Sequence, residues 1–154
     1  MVGRGALAAL LLAAAPALAD ESPVPGALQQ FGLLGTWAID CARAAGPGDE
    51  YSIYAVSPSG EATLTYTRGE AFRDIVYAIR TAEPVDNDRL ELQVLHLPER
   101  IQVNLVLRKE GDSVRVWSSH TPDGRMLVID GVITGNGKDS PRFKRCGGSF
   151  SAQD

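Results

Sequence analysis

The chain reads as an all-β protein: an antiparallel up-and-down meander of about eight strands that closes into a small barrel, with a short helical turn ahead of it. Three observations predict this. Apolar and polar residues alternate with a period of two over most of the chain. Turn-forming clusters of Pro, Asp and Gly recur roughly every ten residues. The connections are short, whereas parallel neighbours need a crossover of about a dozen residues or more.

Taken in order, the chain opens on a processing signal. Arg4 supplies a positive charge, Ala6–Ala19 is an unbroken apolar run, and Ala17-Leu18-Ala19 gives the small-x-small pattern that precedes cleavage, here before Asp20. The run is shorter than the roughly 20 apolar residues of a permanent membrane helix, so no membrane anchor is expected after cleavage. No Arg-Arg pair precedes it, which favours the general secretory route over the twin-arginine one. Residues 1–19 are therefore expected to be a signal peptide, 20–34 a lead-in with a short helical segment, 35–147 a single β-barrel domain and 148–154 a flexible tail. The expected location is periplasmic or extracellular. The alanine-rich leader has a bacterial character.

The lead-in "DESPVPG" is rich in proline, and "ALQQFGLLG" (Ala27–Gly35) has room for one or two helical turns. Strands are then predicted at Thr36–Asp40, Tyr51–Ser57, Glu61–Arg68, Ala71–Thr81, Arg89–Leu97, Arg100–Lys109, Ser113–Ser119 and Arg125–Val132, with a ninth, short one at Arg142–Cys146. "SPSG" (Ser57–Gly60), "EGDS" (Glu110–Ser113) and "TPDG" (Thr121–Gly124) are the reversals. Leu90, Leu92 and Val94 oppose Glu91 and Gln93, and Ile101, Val103, Leu105 and Leu107 oppose Gln102, Asn104 and Arg108, so each strand has one buried and one wet face. The last long strands break this rule, because Trp117, Leu127 and Ile129 make a second apolar face. The Ala27–Leu34 segment is expected to cover it.

The whole chain carries 15 basic and 19 acidic residues, a net charge of −4. One of the basic residues and none of the acids lies in the leader, so the mature chain is near −5. Such a balance argues against binding a phosphate backbone, which wants a basic stripe. The single basic cluster, "RFKR" at Arg142–Arg145, reads as a solvated last strand. Two cysteines remain, Cys41 and Cys146, near the two ends of the folded region. Export makes a disulfide between them the natural reading. A loop of that length corresponds to about 4.7 kcal/mol in the chain-entropy picture.

"GTWAIDC" (Gly35–Cys41) and "RCGG" (Arg145–Gly148) resemble the ends of small, exported, uncharacterised proteobacterial proteins that open G-T-W-A-x-D-C. That group brings no activity with it. More remotely, a helical turn followed by Gly-x-Trp at the first strand is similar to the calycin superfamily and its lipocalins. The resemblance implies a calycin-like barrel with Trp37 anchoring its core and an arginine of the last strand, Arg142 or Arg145, lying across the tryptophan ring, an arrangement cation–π attraction favours. The lipocalins' Thr-Asp-Tyr motif is absent. Exported bacterial inhibitors of secreted metalloproteases share the Gly-x-Trp start and a disulfide, but the Ser-rich N-terminal tip and close cysteines of that group are missing here.

Chemistry-bearing patterns are sparse. His96 and His120 have no second histidine at ligand spacing, so no metal site is expected. His96 ends an apolar row and should sit near a rim, and "HTPD" (His120–Asp123) reads as a turn. "EPVDND" (Glu83–Asp88) lacks the repeating pattern of a calcium loop and reads as a solvated hairpin turn. "GVITGNGKDS" (Gly131–Ser140) departs from a phosphate loop at both ends and reads as a flexible turn. No nucleophile elbow is present. Asp40 is expected to be solvated or paired with nearby arginines. No catalytic residue and no cofactor are therefore assigned.

The expected function is that of a non-catalytic, monomeric barrel that binds a small apolar ligand, with Tyr66, Phe72 and Tyr77 filling the interior or lining its pocket. The alternative is a protein-interaction module, an inhibitor or accessory subunit, with a periplasmic protein partner engaged through the N-terminal tail or the Trp117–Ile129 face. Gly35, Trp37 and Arg145 are assigned structural roles.

Overall fold

The computed structural model describes residues 23–147. The expected leader, its cleavage point and the expected tail lie outside the described residues. Within them are a helix, α1 (Pro23–Phe31), and the strands β1 (Gly35–Ala38), β2 (Tyr51–Val56), β3 (Ala62–Thr67), β4 (Ile75–Pro84), β5 (Arg89–His96), β6 (Ile101–Glu110), β7 (Ser113–His120), β8 (Met126–Ile129), β9 (Val132–Ile133) and β10 (Phe143–Arg145). The helix begins earlier than predicted. Pro23 and Pro25 are tolerated because the first turn has no intrahelical partner for its N–H groups, and Val24, Leu28 and Phe31 repeat at the spacing of one buried face. No helix among the described residues is long and apolar enough to cross a membrane.

The strands pair in chain order from β1 to β7, all antiparallel, and β10 pairs both with β1 (Trp37 opposite Arg145) and with β7 (Val114 opposite Phe143). Eight strands, β1–β7 and β10, thus close a barrel. The predicted strand Arg125–Val132 is not a barrel strand. It folds into the hairpin β8–β9, turned at Asp130-Gly131 with φ values of 50° and 76°, as a two-residue type I′ reversal needs. The short ninth candidate closes the ring instead. The predicted fourth strand also starts later, at Ile75, so Phe72 lies in the β3–β4 loop and not in the sheet.

Residues opposite one another on paired strands share a face, and the register fills the barrel with apolar rows. Leu64, Tyr77 and His96 form one such row, which ends at the rim on exposed Ile101. Ile79, Val94 and Val103 form another, and Ala82, Leu92 and Leu105 a third. Leu64, Leu90 and Leu92 are fully buried, as are Leu28 and Leu33 from the helical entry. Irregularities in register at Ile79/Thr81 and Val106/Leu107 let Ile79 and Ala82, and Val116 and Ser119, face the same way despite their odd spacing.

α1 does not cover the Trp117–Ile129 face, contrary to expectation. It lies against β4 and sends Val24, Leu28 and Phe31 into the barrel core. The Lys109 ammonium sits 4.2 Å from the Phe31 ring centre at that end. Trp37 anchors the same region. Its Nε1–H donates to the Leu33 carbonyl at 2.7 Å. The guanidinium over its ring, 5.8 Å from the centroid, is that of Arg145, which also donates to the Leu34 carbonyl. Gly35 leaves room for that arginine, whose Nε would lie 3.4 Å from a Cβ placed there.

The Trp117 face has a different cover. The Arg108 and Arg115 guanidinium carbons stand 4.3 and 5.0 Å from the Trp117 ring centre. Gly131 lies so close to the Arg115 guanidinium that a Cβ would stand 2.7 Å from its Cζ. The Gly131 N–H donates to the Trp117 carbonyl at 2.7 Å, and Ser140 Oγ–H donates to the Val116 carbonyl at 2.6 Å. The segment after β8 therefore folds back over β7, leaving Met126, Ile129 and Val132 exposed on the hairpin. Glu110 ties this layer together through Arg115 Nε at 2.8 Å and Arg142 Nε at 2.7 Å.

Cys41 and Cys146 are joined, with their Cα atoms 5.4 Å apart, where β1 meets β10. The bond locks the seam of the ring. Cys41→Ser is expected to lower the stability by about 2–4 kcal/mol, read as a fall in melting temperature relative to the oxidised protein; equal melting points would show that the seam needs no covalent lock.

The Arg142 hydrogen bond, and after it the Arg115 and Arg142 charges, hold the Glu110 carboxyl below the usual glutamate range against an opposing desolvation. A folded-state pKa lowered in this way stabilises the protein above the unfolded value and ceases to as pH falls through the folded one. The melting-temperature gap between the native protein and Glu110→Gln should therefore narrow from about pH 6 to about pH 3; a gap that is constant or widens over that range would contradict the assignment.

Candidate functional site

The three aromatics predicted to form one pocket are divided by the structure. Tyr66 and Tyr77 point into the barrel and meet edge to face, ring centres 5.9 Å apart and planes at 89°. Tyr77 packs against His96 at 5.3 Å, and His96 Nδ1 stands 3.6 Å from Glu99 at the rim. Burial, then the neighbouring Tyr77 and Glu50, pushes the Tyr66 phenol up to about 12. Burial likewise raises Tyr54 well above the ordinary phenol range, and raises Tyr77 with a smaller contribution from Glu99. Groups so shifted keep their protons at neutral pH, so they serve as hydrogen-bond donors and apolar fill.

Phe72 stands elsewhere, on the outer surface. Tyr51, Ile53 and Thr67 alternate with the inward Ser52, Tyr54 and Tyr66, so they face out from β2 and β3. Over them close two loops, the β1–β2 connection carrying Ala44 and Ala45 and the β3–β4 connection carrying Gly69, Glu70, Phe72 and Asp74. Between loops and sheet lies a cavity of about 590 Å³ lined by these residues. This volume falls within the usual range of small-molecule sites, about 300–1,000 Å³. Phe72 remains 41% exposed, with the Arg68 guanidinium 5.1 Å from its ring centre.

The walls are built to hold still. Cys41 fixes the start of the β1–β2 loop through its disulfide. Farther along, Arg43 Nη1 donates to both carboxylate oxygens of Asp49 at 3.0 Å, and the hydrogen bond and charge of Asp49 raise the arginine's pKa. The Gly46 and Asp49 backbones exchange hydrogen bonds at 3.2 and 3.0 Å. The Tyr51 hydroxyl donates to the Arg43 carbonyl, so the loop is pinned to the strand it overlies. Asp40, expected to be solvated or paired, accepts the Ala42 N–H at 3.0 Å and lies 4.0 Å from Arg43 Nε. The two loops touch where Gly69 passes the Ala45 carbonyl, and a Cβ there would overlap that oxygen.

Of the lining residues, sequence reasoning singled out Phe72 alone, and for the wrong side of the sheet. Tyr51, Ile53 and Thr67 escape such a reading because outward-facing strand residues read as solvated, and Ala44 and Ala45 because small residues in a connection carry no pattern. The available signal was the connection Ile39–Glu50, long for a hairpin whose ends are paired strands; connections of about that length are uncommon unless they bind or cover something. Among the described residues no group of three or more His, Cys, Asp and Glu side chains is arranged to hold a metal. No family model, no curated protein and no solved structure matches the chain.

Gly69→Ala tests whether the loops are mutually fitted. Gly69 has φ of 90°, a backbone state that costs an ordinary residue about 1–3 kcal/mol, and the added methyl strikes Ala45. Expected are a lower melting temperature and shifted amide resonances at Ala44 and Ala45; resonances left in place would mean that the loops are not in register with one another.

Proposed function

We propose that the protein is an exported, non-catalytic binding barrel of calycin type that holds a small apolar ligand in the outer groove between the β1–β2 and β3–β4 loops. The observation that carries this reading is an apolar cavity of ligand size with braced walls, on a barrel whose axis is occupied by Leu64, Leu90 and Leu92. An eight-stranded barrel has an interior just wide enough for side chains or one small ligand. Here the leucines and the Tyr66–Tyr77 pair take that space, which favours the exterior. The apolar leader and the Cys41–Cys146 bridge support export to an oxidising compartment.

Titration of ¹⁵N-labelled protein with decanol tests the reading. Expected are saturable shifts at Ala44, Ala45, Ile53, Thr67 and Phe72, with affinity weakened in Phe72→Ala. Shifts centred on Tyr66, Tyr77 and His96 would move the site into the barrel, and no shifts at all would remove it. On the export side, intact-mass measurement of protein recovered from the secreting cell should give a chain that starts at Asp20.

A further inference from the structure

We propose that the groove selects amphipathic cations, an apolar chain ending in an ammonium or comparable positive group. This deepens the binding reading above and rests on it. The floor of the groove, Tyr51 and Ile53, and its loop walls, Phe72 with Ala44 and Ala45, offer apolar surface to a chain. Two of its nine lining residues are ionisable acids, Glu70 and Asp74, and none of them is a cation. Neither acid has an ion-pair partner among the described residues, although ion pairs are common elsewhere on the surface, as at Arg43–Asp49, Arg89–Asp86 and Arg142–Glu110.

The arginines flanking these acids in sequence form no ion pair with them among the described residues. Arg68 is engaged over the Phe72 ring, and Arg73 is exposed outside the lining. Glu70 and Asp74 both belong to the β3–β4 loop, so their charge lies along one wall while the apolar floor runs beneath. A ligand that buries its chain on the floor and leaves its head at that wall gains from a positive head and loses from a negative one. Long apolar chains supply the affinity through area removed from water; the two carboxylates supply the choice among chains of equal length.

The experiment compares decylammonium, decanol and decanoate, each below its micelle-forming concentration, by amide-shift titration of the full chain at low salt. Decylammonium is expected to bind about three to ten times more tightly than decanol, with decanoate weakest, a range that two partly exposed ion pairs would provide. In the double variant Glu70→Gln, Asp74→Asn, whose dispersed amide spectrum reports its fold, ammonium and alcohol should bind alike. Equal affinity of all three probes for the native protein would overturn the charge inference and leave the groove reading standing. Binding of none would overturn both. A cation preference that survives in the double variant would overturn the assignment to these two acids. Groove shifts that follow protein concentration without any probe would make a second copy of this chain the occupant, and would also overturn it.

Discussion

The structure depends on ring closure by a strand of three residues. β10 is bonded on one side to β1 and on the other to β7, and a sheet that lost it would expose the edges of β1 and β7 to solvent and to other chains. So short a strand offers few hydrogen bonds, and the protein adds to them at each end. The Cys41–Cys146 bridge and the Cys146 N–H bond to the Thr36 carbonyl, at 2.8 Å, hold its C-terminal end. The Arg142–Glu110 pair holds the approach to its N-terminal end. Arg145, the last residue of β10, lies over Trp37 of β1. Side chains and a covalent bond thus reinforce a seam that the backbone alone closes weakly.

Closure with eight strands also decides where open space can lie. The interior of such a ring is about one or two side chains wide, and the inward rows here carry leucine, valine, isoleucine and tyrosine from nearly every strand, with α1 contributing Leu28 and Phe31 from one end. Space is instead created outside, by setting long connections on the outward faces of β2 and β3. A loop laid on a sheet must satisfy its own backbone groups and fix its distance from the sheet. The Arg43–Asp49 pair, the Gly46–Asp49 exchange and the Tyr51 hydroxyl meet those needs within the β1–β2 loop.

The parts of this fold legible in the sequence are those governed by local rules. Alternation along Leu90–Val94 and Val103–Leu107 marks inward rows, and these are inward, while Ile101, placed in the same row, is exposed at the rim. Two cysteines near the ends of the folded domain announce their bond, and the bond is there. What escaped depends on partners distant in sequence. The cover over Trp117 comes from a hairpin whose Asp130-Gly131 turn was in plain view, yet Arg125–Val132 reads equally well as one strand. The irregular register at Val106/Leu107 puts two inward positions three residues apart on β7, which no two-residue period anticipates. The groove is less legible still. Its floor is made of residues on the face that alternation labels wet, and only the three-dimensional path of the loops turns that face into a cavity.

One consequence joins the seam to the groove. Cys41 is both the fastening of β1 to β10 and the root of the loop that forms one groove wall, so the covalent bond serves closure and the cavity together. Its neighbours divide the work: Arg145 and Trp37 on the barrel side, Arg43, Asp49 and Tyr51 on the groove side. A ligand held on that wall, as proposed, would bind the native state and not the unfolded chain, and so would add to native stability by mass action. The same bond that limits the freedom of the unfolded chain also removes freedom from the wall before a ligand arrives, which lowers the ordering cost that binding would otherwise carry. In this small barrel, then, stability and binding are not competing uses of the sequence around "GTWAIDC". The segment that closes the ring is also the one that holds the proposed site in shape.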